Sequence, residues 1–323
     1  MKKDSRSVHR SGSAAPCFLI FGDADRQEFR LWREALPENV RERVICAESC
    51  PSLNADSFTD ANEMPTPDFL VLLCSWSGEF QDSWVLELQK KCPLTPILAI
   101  LGSWCEGEAR TGTPIKGVHP VLWYDFAVMA PLECFAFEKG WASIWSLPVT
   151  VLPEERVLFE LKREEKWKLF RVPALNTVNA ETVSDRRPLR FLIESDDFDQ
   201  FIFLRDLCLR SDWNGRPVEF FSSWLGKKGD ASENADADAD ANVDFLLFDL
   251  PDLSEATAAR FRALKAQNPE AVPIAFTEFP RPDEWELLRK ENVQIFPKPF
   301  RLADFLFFCL ERLSCSITAD CAK

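Results

Sequence analysis

Four places in the second half of the chain carry residue types suited to phosphoryl chemistry: the run Glu194-Ser195-Asp196-Asp197, then Asp249, Thr277 and Lys298. Each closes a short apolar run, LRFLI before Glu194, VDFLLF before Asp249, VPIAF before Thr277 and VQIFP before Lys298. Carboxylates brought together repel and raise one another's pKa unless a hard cation or an ammonium neutralises them. Mg²⁺ suits such a group, because it takes one or two carboxylates together with waters and a phosphate-type ligand. An aspartate held this way can accept a phosphoryl group, with the metal and Lys298 screening the incoming charge and Thr277 hydrogen-bonding the new oxygens. For Asp249 alone, a strand-end residue capping a following helix is the simpler alternative.

The elements that must position these residues are written as continuous apolar runs ending in a polar or turn residue. That is how strands buried on both faces of a parallel sheet read. The pattern occurs twice. Phe18-Leu19-Ile20-x-x-Asp23 returns as Phe191-Leu192-Ile193-x-x-Asp196, and Pro67 to Leu73 returns as Val243 to Asp249. Pro96 to Ile100 is echoed by Pro273 to Phe276, and Val118 to Phe126 by Val293 to Phe300. The shared order and nearly constant offset point to a tandem duplication. Helical stretches alternate with these runs at Arg26 to Leu36, Ser83 to Lys91, Phe198 to Arg210, Glu255 to Gln267 and Asp283 to Asn292. The fold expected is α/β, with two flavodoxin-like, doubly wound parallel-sheet domains in tandem. In such sheets ligands bind outside the carboxyl ends of the strands, where the polar residues fall.

The second copy resembles the receiver domain of bacterial response regulators over about residues 188 to 313, through LRFLIESDD, VDFLLFD, VPIAFT and IFPKPF. The resemblance implies that Asp249 is phosphorylated, that Asp196 with Asp197 or Glu194 binds Mg²⁺ beside Asp249, that Thr277 senses the phosphoryl group and that Lys298 pairs with it. Several positions depart from that pattern. Ser195 stands where the first of the paired acids is usual, the loop after Asp249 brings Pro251 forward and lacks glycine, Glu278 follows Thr277 in place of a small residue, and Ile295 holds the aromatic switch position. The first copy keeps the sheet pattern without the chemistry: Leu73 or Cys74 falls at the acceptor position, Ile100 and Leu101 at the hydroxyl's, and HPVLWYD has no lysine. It reads as a degenerate receiver. A Cys74 nucleophile with His119 as base is outweighed by a buried thiol and a loop histidine. Trp76 and Trp104, in loops after strands, could form a contact surface.

Two function classes follow. The first is a phosphorelay signalling protein, not an enzyme, whose partner is a histidine kinase or phosphotransfer protein and whose second copy accepts the phosphoryl group at Asp249. The second is a non-phosphorylated pseudo-receiver scaffold for protein–protein interaction. A Mg²⁺-dependent aspartyl-phosphate hydrolase would use the same carboxylates but lacks a second general acid beyond the cluster.

Composition bounds the rest. With 323 residues the chain has room for two domains, and 46% apolar content suffices for ordinary cores. An excess of 52 Asp and Glu over 38 Lys and Arg, net charge −14, repels phosphate backbones and anionic membranes, so neither nucleic acid nor membrane is an expected partner. Eleven cysteines without a CxxC pair, mostly inside apolar runs, fit a reduced cytoplasmic setting. Two histidines leave little room for histidine-based catalysis. The expected layout is a disordered N-terminus (1–15), the degenerate copy (16–130), a connector (131–187) in which hairpin and helix both stand open for Val157 to Leu169, the second copy (188–313) and a polar tail (314–323). The second copy carries an acidic, disordered insert at 226–242, whose Asp236-x-Asp238-x-Asp240 lacks the glycine and glutamate of a calcium loop. The last helix, Leu302 to Leu313, is apolar nearly all round and therefore buried on two sides, against the first copy or as a dimer surface.

Overall fold

The computed structural model describes residues 15–47, 67–152, 154–163, 187–213, 215–222, 242–252 and 254–320. The N-terminus before residue 15, all of the insert but its final residue, and the polar stretch 164–186 lie outside them. The chain divides into two units, Met1–Arg163 and Glu164–Lys323.

The first unit runs β1 (Phe18–Phe21), α1 (Gln27–Ala35), α2 (Glu38–Arg41), β2 (Val44–Cys46), β3 (Phe69–Cys74), α3 (Asp82–Lys91), β4 (Ile97–Leu101), α4 (Glu108–Thr111), β5 (His119–Leu122) and α5 (Trp123–Glu138). All strand pairs are parallel, in the order β2-β1-β3-β4-β5. Every residue of β3 is buried, as a central strand covered on both faces requires. Alternate side chains therefore feed two cores. Leu19, Phe21, Leu70 and Leu72 pack with Val85 and Leu88 of α3. Phe18 lies edge-on to Phe126 of α5 and to Trp145, whose rings stack on each other at 4.9 Å, while Trp32 of α1 meets Phe126 edge-on at 5.2 Å.

The second unit repeats the plan with β6 (Leu189–Glu194), α6 (Phe198–Arg210), β7 (Val218–Ser222), β8 (Phe245–Leu250), α7 (Glu255–Gln267), β9 (Val272–Glu278), α8 (Pro282–Lys290), β10 (Gln294–Lys298) and α9 (Leu302–Asp320). Its parallel strands lie in the order β7-β6-β8-β9-β10, the same second-first-third-fourth-fifth order as in the first unit. The chain is thus an α/β protein with two five-stranded parallel sheets of doubly wound order, and the crevice of such a sheet opens between its first and third strands. Phe276, Phe296, Phe300 and Phe305 form an aromatic core between the sheet and α9.

Two stretches differ from what the sequence pattern suggests, and for residues 154–163 the helix, one of the two alternatives left open, is found. α5 continues past residue 130 into the expected connector, and residues 154–163 are helical, so the first unit reaches Arg163. α9 runs on to Asp320, through most of the expected tail. α5 escapes a periodicity reading because it is apolar on all sides, with buried residues all around its length and Pro131 within it.

Its one buried charge explains how the extra segment is held. The Glu133 side chain is fully buried and accepts from Ser143 Oγ (2.8 Å), from Ile144 N–H (3.0 Å) and from both terminal nitrogens of Arg163 (2.6 and 2.7 Å). A buried carboxylate deprived of its cation costs about 3–5 kcal/mol. Glu133→Ala leaves Arg163 as the uncompensated charge, so chemical denaturation should show a loss of that size in the first unit; a loss below about 1 kcal/mol would show that the pair does not hold 143–163 in place.

Candidate functional site

The crevice of the second unit is built from the ends of β6, β8, β9 and β10. β6 pairs with β8 so that Glu194 lies opposite Phe248, which places Ser195 level with Asp249. Asp249 is buried near the end of β8, and both of its oxygens are engaged: Oδ1 accepts from Lys298 Nζ at 3.0 Å and Oδ2 from Ser195 Oγ at 2.8 Å. The β9–β10 register sets Lys298 opposite Glu278, and its ammonium also reaches Glu278 Oε1 at 3.2 Å. Burial works against the Lys298 charge. The hydrogen bond and charge of Asp249, and then those of Glu278, outweigh it and raise Lys298 above the ordinary lysine value. Lys298 therefore stays an ammonium throughout the neutral range. Thr277 is buried in β9 and lies opposite Leu250, one residue beyond Asp249.

The remaining acids of the sequence pattern are turned to other uses. Asp197 caps α6, its Oδ1 accepting from the N–H groups of Asp199 (2.7 Å) and Gln200 (3.2 Å), as an N-cap aspartate does. Asp196 is exposed and accepts from Arg260 Nη1 at both oxygens, at 2.7 and 2.8 Å. Arg260 Nη2 pairs with Glu194 Oε1. The Glu194 side chain is only 3% exposed, and its second oxygen has no hydrogen-bond partner. Arg260 stands on α7 with its guanidinium over the Phe248 ring at 5.9 Å, beside Phe261, which packs edge-on against the same ring. Sequence reasoning missed Arg260. The pleat held the signal: Glu194 shares its level with core residue Phe248, so its carboxylate needs a cation from the helix that covers that ring.

The carboxylates that the resemblance assigns to Mg²⁺ are thus divided: Asp249 to Lys298 and Ser195, Asp197 to a helix cap, Asp196 to Arg260. Among the described residues no group of three or more His, Cys, Asp and Glu side chains could hold a metal ion. A donor set already committed to a guanidinium and an ammonium does not fit Mg²⁺, which needs ionised oxygens free to coordinate. Beside Lys298 opens a cleft of about 440 Å³ lined by Gln200, Phe203, Glu278, Phe279 and Phe300. Phe279 is exposed and holds a left-handed backbone, φ 45°, unusual for a bulky residue.

In the first unit the places of Asp249, Thr277 and Lys298 are apolar. Leu73, level with Gly22 through the β1–β3 register, stands where Asp249 does, which settles the choice between Leu73 and Cys74. Leu101 stands for Thr277 and Trp123 for Lys298. Gly22, with φ 110°, lies so close to Leu73 that a Cβ there would come within 2.7 Å of its carbonyl oxygen. Asp23 accepts from the N–H of Asp25 and so closes a local turn. Cys74 and His119 do not meet: His119 is buried in β5, opposite Leu98, while Cys74 ends β3, opposite Leu101. Burial raises the Cys74 thiol, with nearby Cys105, Glu79 and Glu108 adding to it, and Cys105 is pushed up to about 11. Neither is a thiolate at neutral pH. Trp76 and Trp104, both strongly exposed, stand in the loops after β3 and β4 at the carboxyl edge of this sheet.

No family model matches the chain, and neither does any curated protein. Among solved structures, similarity extends to a pilus assembly-related protein from Burkholderia pseudomallei (15% identity, 38% of this chain and 90% of that one, TM-score 0.29). It extends also to the C-terminal domain of glucosamine-fructose-6-phosphate aminotransferase from Francisella tularensis (14% identity, 92% and 82%, TM-score 0.23). A third is a protein described as sugar binding from Salmonella typhimurium (14% identity, 94% and 89%, TM-score 0.21). At these scores they say nothing about the site.

Replacing Lys298 with Met strands the Asp249 carboxylate, and loss of a hydrogen bond to a charged group costs about 2 kcal/mol. Because the folded lysine pKa is raised, its contribution is complete below the ordinary value of 10.5 and fades as pH rises through the folded value. The stability gap between wild type and Lys298→Met should stay level from pH 6 to pH 9 and narrow only above about pH 10.5. A gap that closes already by pH 9 contradicts this assignment.

Proposed function

We propose that the protein is a signalling scaffold built from two receiver-like units, which binds protein partners without being phosphorylated. The observation that carries this reading is the guanidinium of Arg260 on Glu194 and Asp196. It supplies from within the chain the positive charge that a phosphoaccepting receiver takes from a metal. Ser195 adds to this by replacing one acid and donating to Asp249. The first unit has Leu73, Leu101 and Trp123 at the corresponding places, so it has no acceptor to offer. Its exposed Trp76 and Trp104 supply apolar area of the kind that anchors interfaces.

The phosphoacceptor reading has one observation in its favour, the buried Asp249–Lys298 pair at 3.0 Å. The same pair serves a scaffold by neutralising the strand ends. Incubation with acetyl phosphate and MgCl₂, followed by intact-mass measurement, separates the two. The scaffold reading predicts no phosphoryl adduct in wild type or in Asp249→Asn. A stoichiometric adduct in wild type that Asp249→Asn abolishes would overturn it.

A further inference from the structure

The helix over residues 154–163 turns a charged side inward and an apolar side to water. At 100° per residue, Arg156, Phe159 and Arg163 fall on one side and Val157, Leu158 and Leu161 on the other. The first side faces the unit: Arg163 is buried on Glu133 at 2.6 Å, and its guanidinium lies over the Phe159 ring. That anchor holds the second side outward, where Val157, Leu158 and Leu161 are 54–57% exposed. Leu152, at the entry to the helix, is exposed as well. A surface helix ordinarily lays its apolar stripe on its own core, and this one presents the stripe to solvent. The exposed patch is on the order of a few hundred Å², the size that marks an interaction site.

The two ends of the stripe are of opposite charge. Glu154 and Glu155 open the helix and Lys162 lies near its end, all three exposed. Glu155 and Lys162 are one heptad apart, which places them on the same flank of the stripe, two turns from each other. A second copy laid antiparallel across the stripe sets Leu158 against its counterpart and brings each Glu155 beside the Lys162 of the other helix. Such a two-fold arrangement is self-complementary, because one surface serves as both partners. We propose that the protein self-associates through this face, as an antiparallel pair of the 154–163 helices of two copies. Two faces of this size bury less than about 1,200 Å² between them, which suits a reversible contact rather than an obligate dimer. The Glu133–Arg163 pair already fixes the helix, so pairing pays little for ordering it.

The pairing goes beyond the scaffold reading and does not depend on it, and its test uses no phosphodonor. Sedimentation velocity of the full chain from about 1 to 500 µM measures it, with far-UV circular dichroism to check that each variant folds. Wild type should show a reversible monomer–dimer equilibrium with a Kd on the order of micromolar. The double variant Leu158→Glu, Leu161→Glu should stay monomeric and keep its helix content, because both side chains face water in the single chain. Glu155→Lys and Lys162→Glu should each raise Kd about three- to tenfold, since one reversal disturbs two symmetry-related pairs. Combining the two reversals should return Kd to near the wild-type value, which association through another surface would not do. A wild type that stays monomeric over the whole range would overturn the proposal, as would a dimer that survives the two glutamates or single reversals that their combination does not rescue. A monomeric wild type whose melting temperature falls with the two glutamates would assign the stripe to other residues of the same chain, and would count equally against it.

Discussion

A carboxylate buried beside the strand ends of a two-sided parallel sheet must keep a counter-charge within reach, because moving an isolated ion out of water costs more than any fold of this size can spare. Among the described residues, four buried carboxylates meet it with a separate cation each. Glu133 is held by Arg163, Glu194 by Arg260, Asp249 by Lys298 and Asp304 by Arg301, all through direct ion pairs. The arrangement of the second unit's crevice follows from it. Once Arg260 is set on Glu194 and Asp196, and Lys298 on Asp249, the acids are no longer a convergent metal site but a set of closed pairs.

The two units show what the same topology does with and without that burden. Their strands lie in one order, and their registers match position for position. In the first unit, leucines and a tryptophan stand where the second keeps its aspartate, threonine and lysine, and Gly22 lets the chain close directly on Leu73. Those three positions of the first sheet's carboxyl edge are thus apolar, with Trp76 and Trp104 exposed beyond it. One unit balances its aspartate and lysine internally, and the other holds apolar side chains at those positions with two exposed tryptophans beyond them.

Much of this was legible in the residues alone. The buried runs around Leu70, Leu98, Leu246 and Ile274 read as central parallel strands because nothing in them faces water, and the polar residues ending them fell at the crevice. What could not be read had physical causes. α5 has no polar stripe, so its periodicity is silent. Glu133 and Arg163 are thirty residues apart and only the fold brings them together. Arg260 sits in a helix whose charged residues all look like solvent-facing ones, and nothing local marks the one that turns inward to Glu194. Asp197 was legible as an acid near the site, yet the orphan N–H groups at the start of α6 compete for it more directly than a metal does.

The central claim is that the crevice is neutralised from within, and the Glu194–Arg260 pair tests it most directly. A double-mutant cycle with Glu194→Gln and Arg260→Gln, measured by denaturant unfolding of the full chain, gives their coupling free of other contributions. With Glu194 buried and Arg260 about one-third exposed, a coupling of about 1 kcal/mol or more is predicted after allowance for solvent screening. Additivity within about 0.3 kcal/mol would mean that the guanidinium does not neutralise the buried acid, and the account would be wrong.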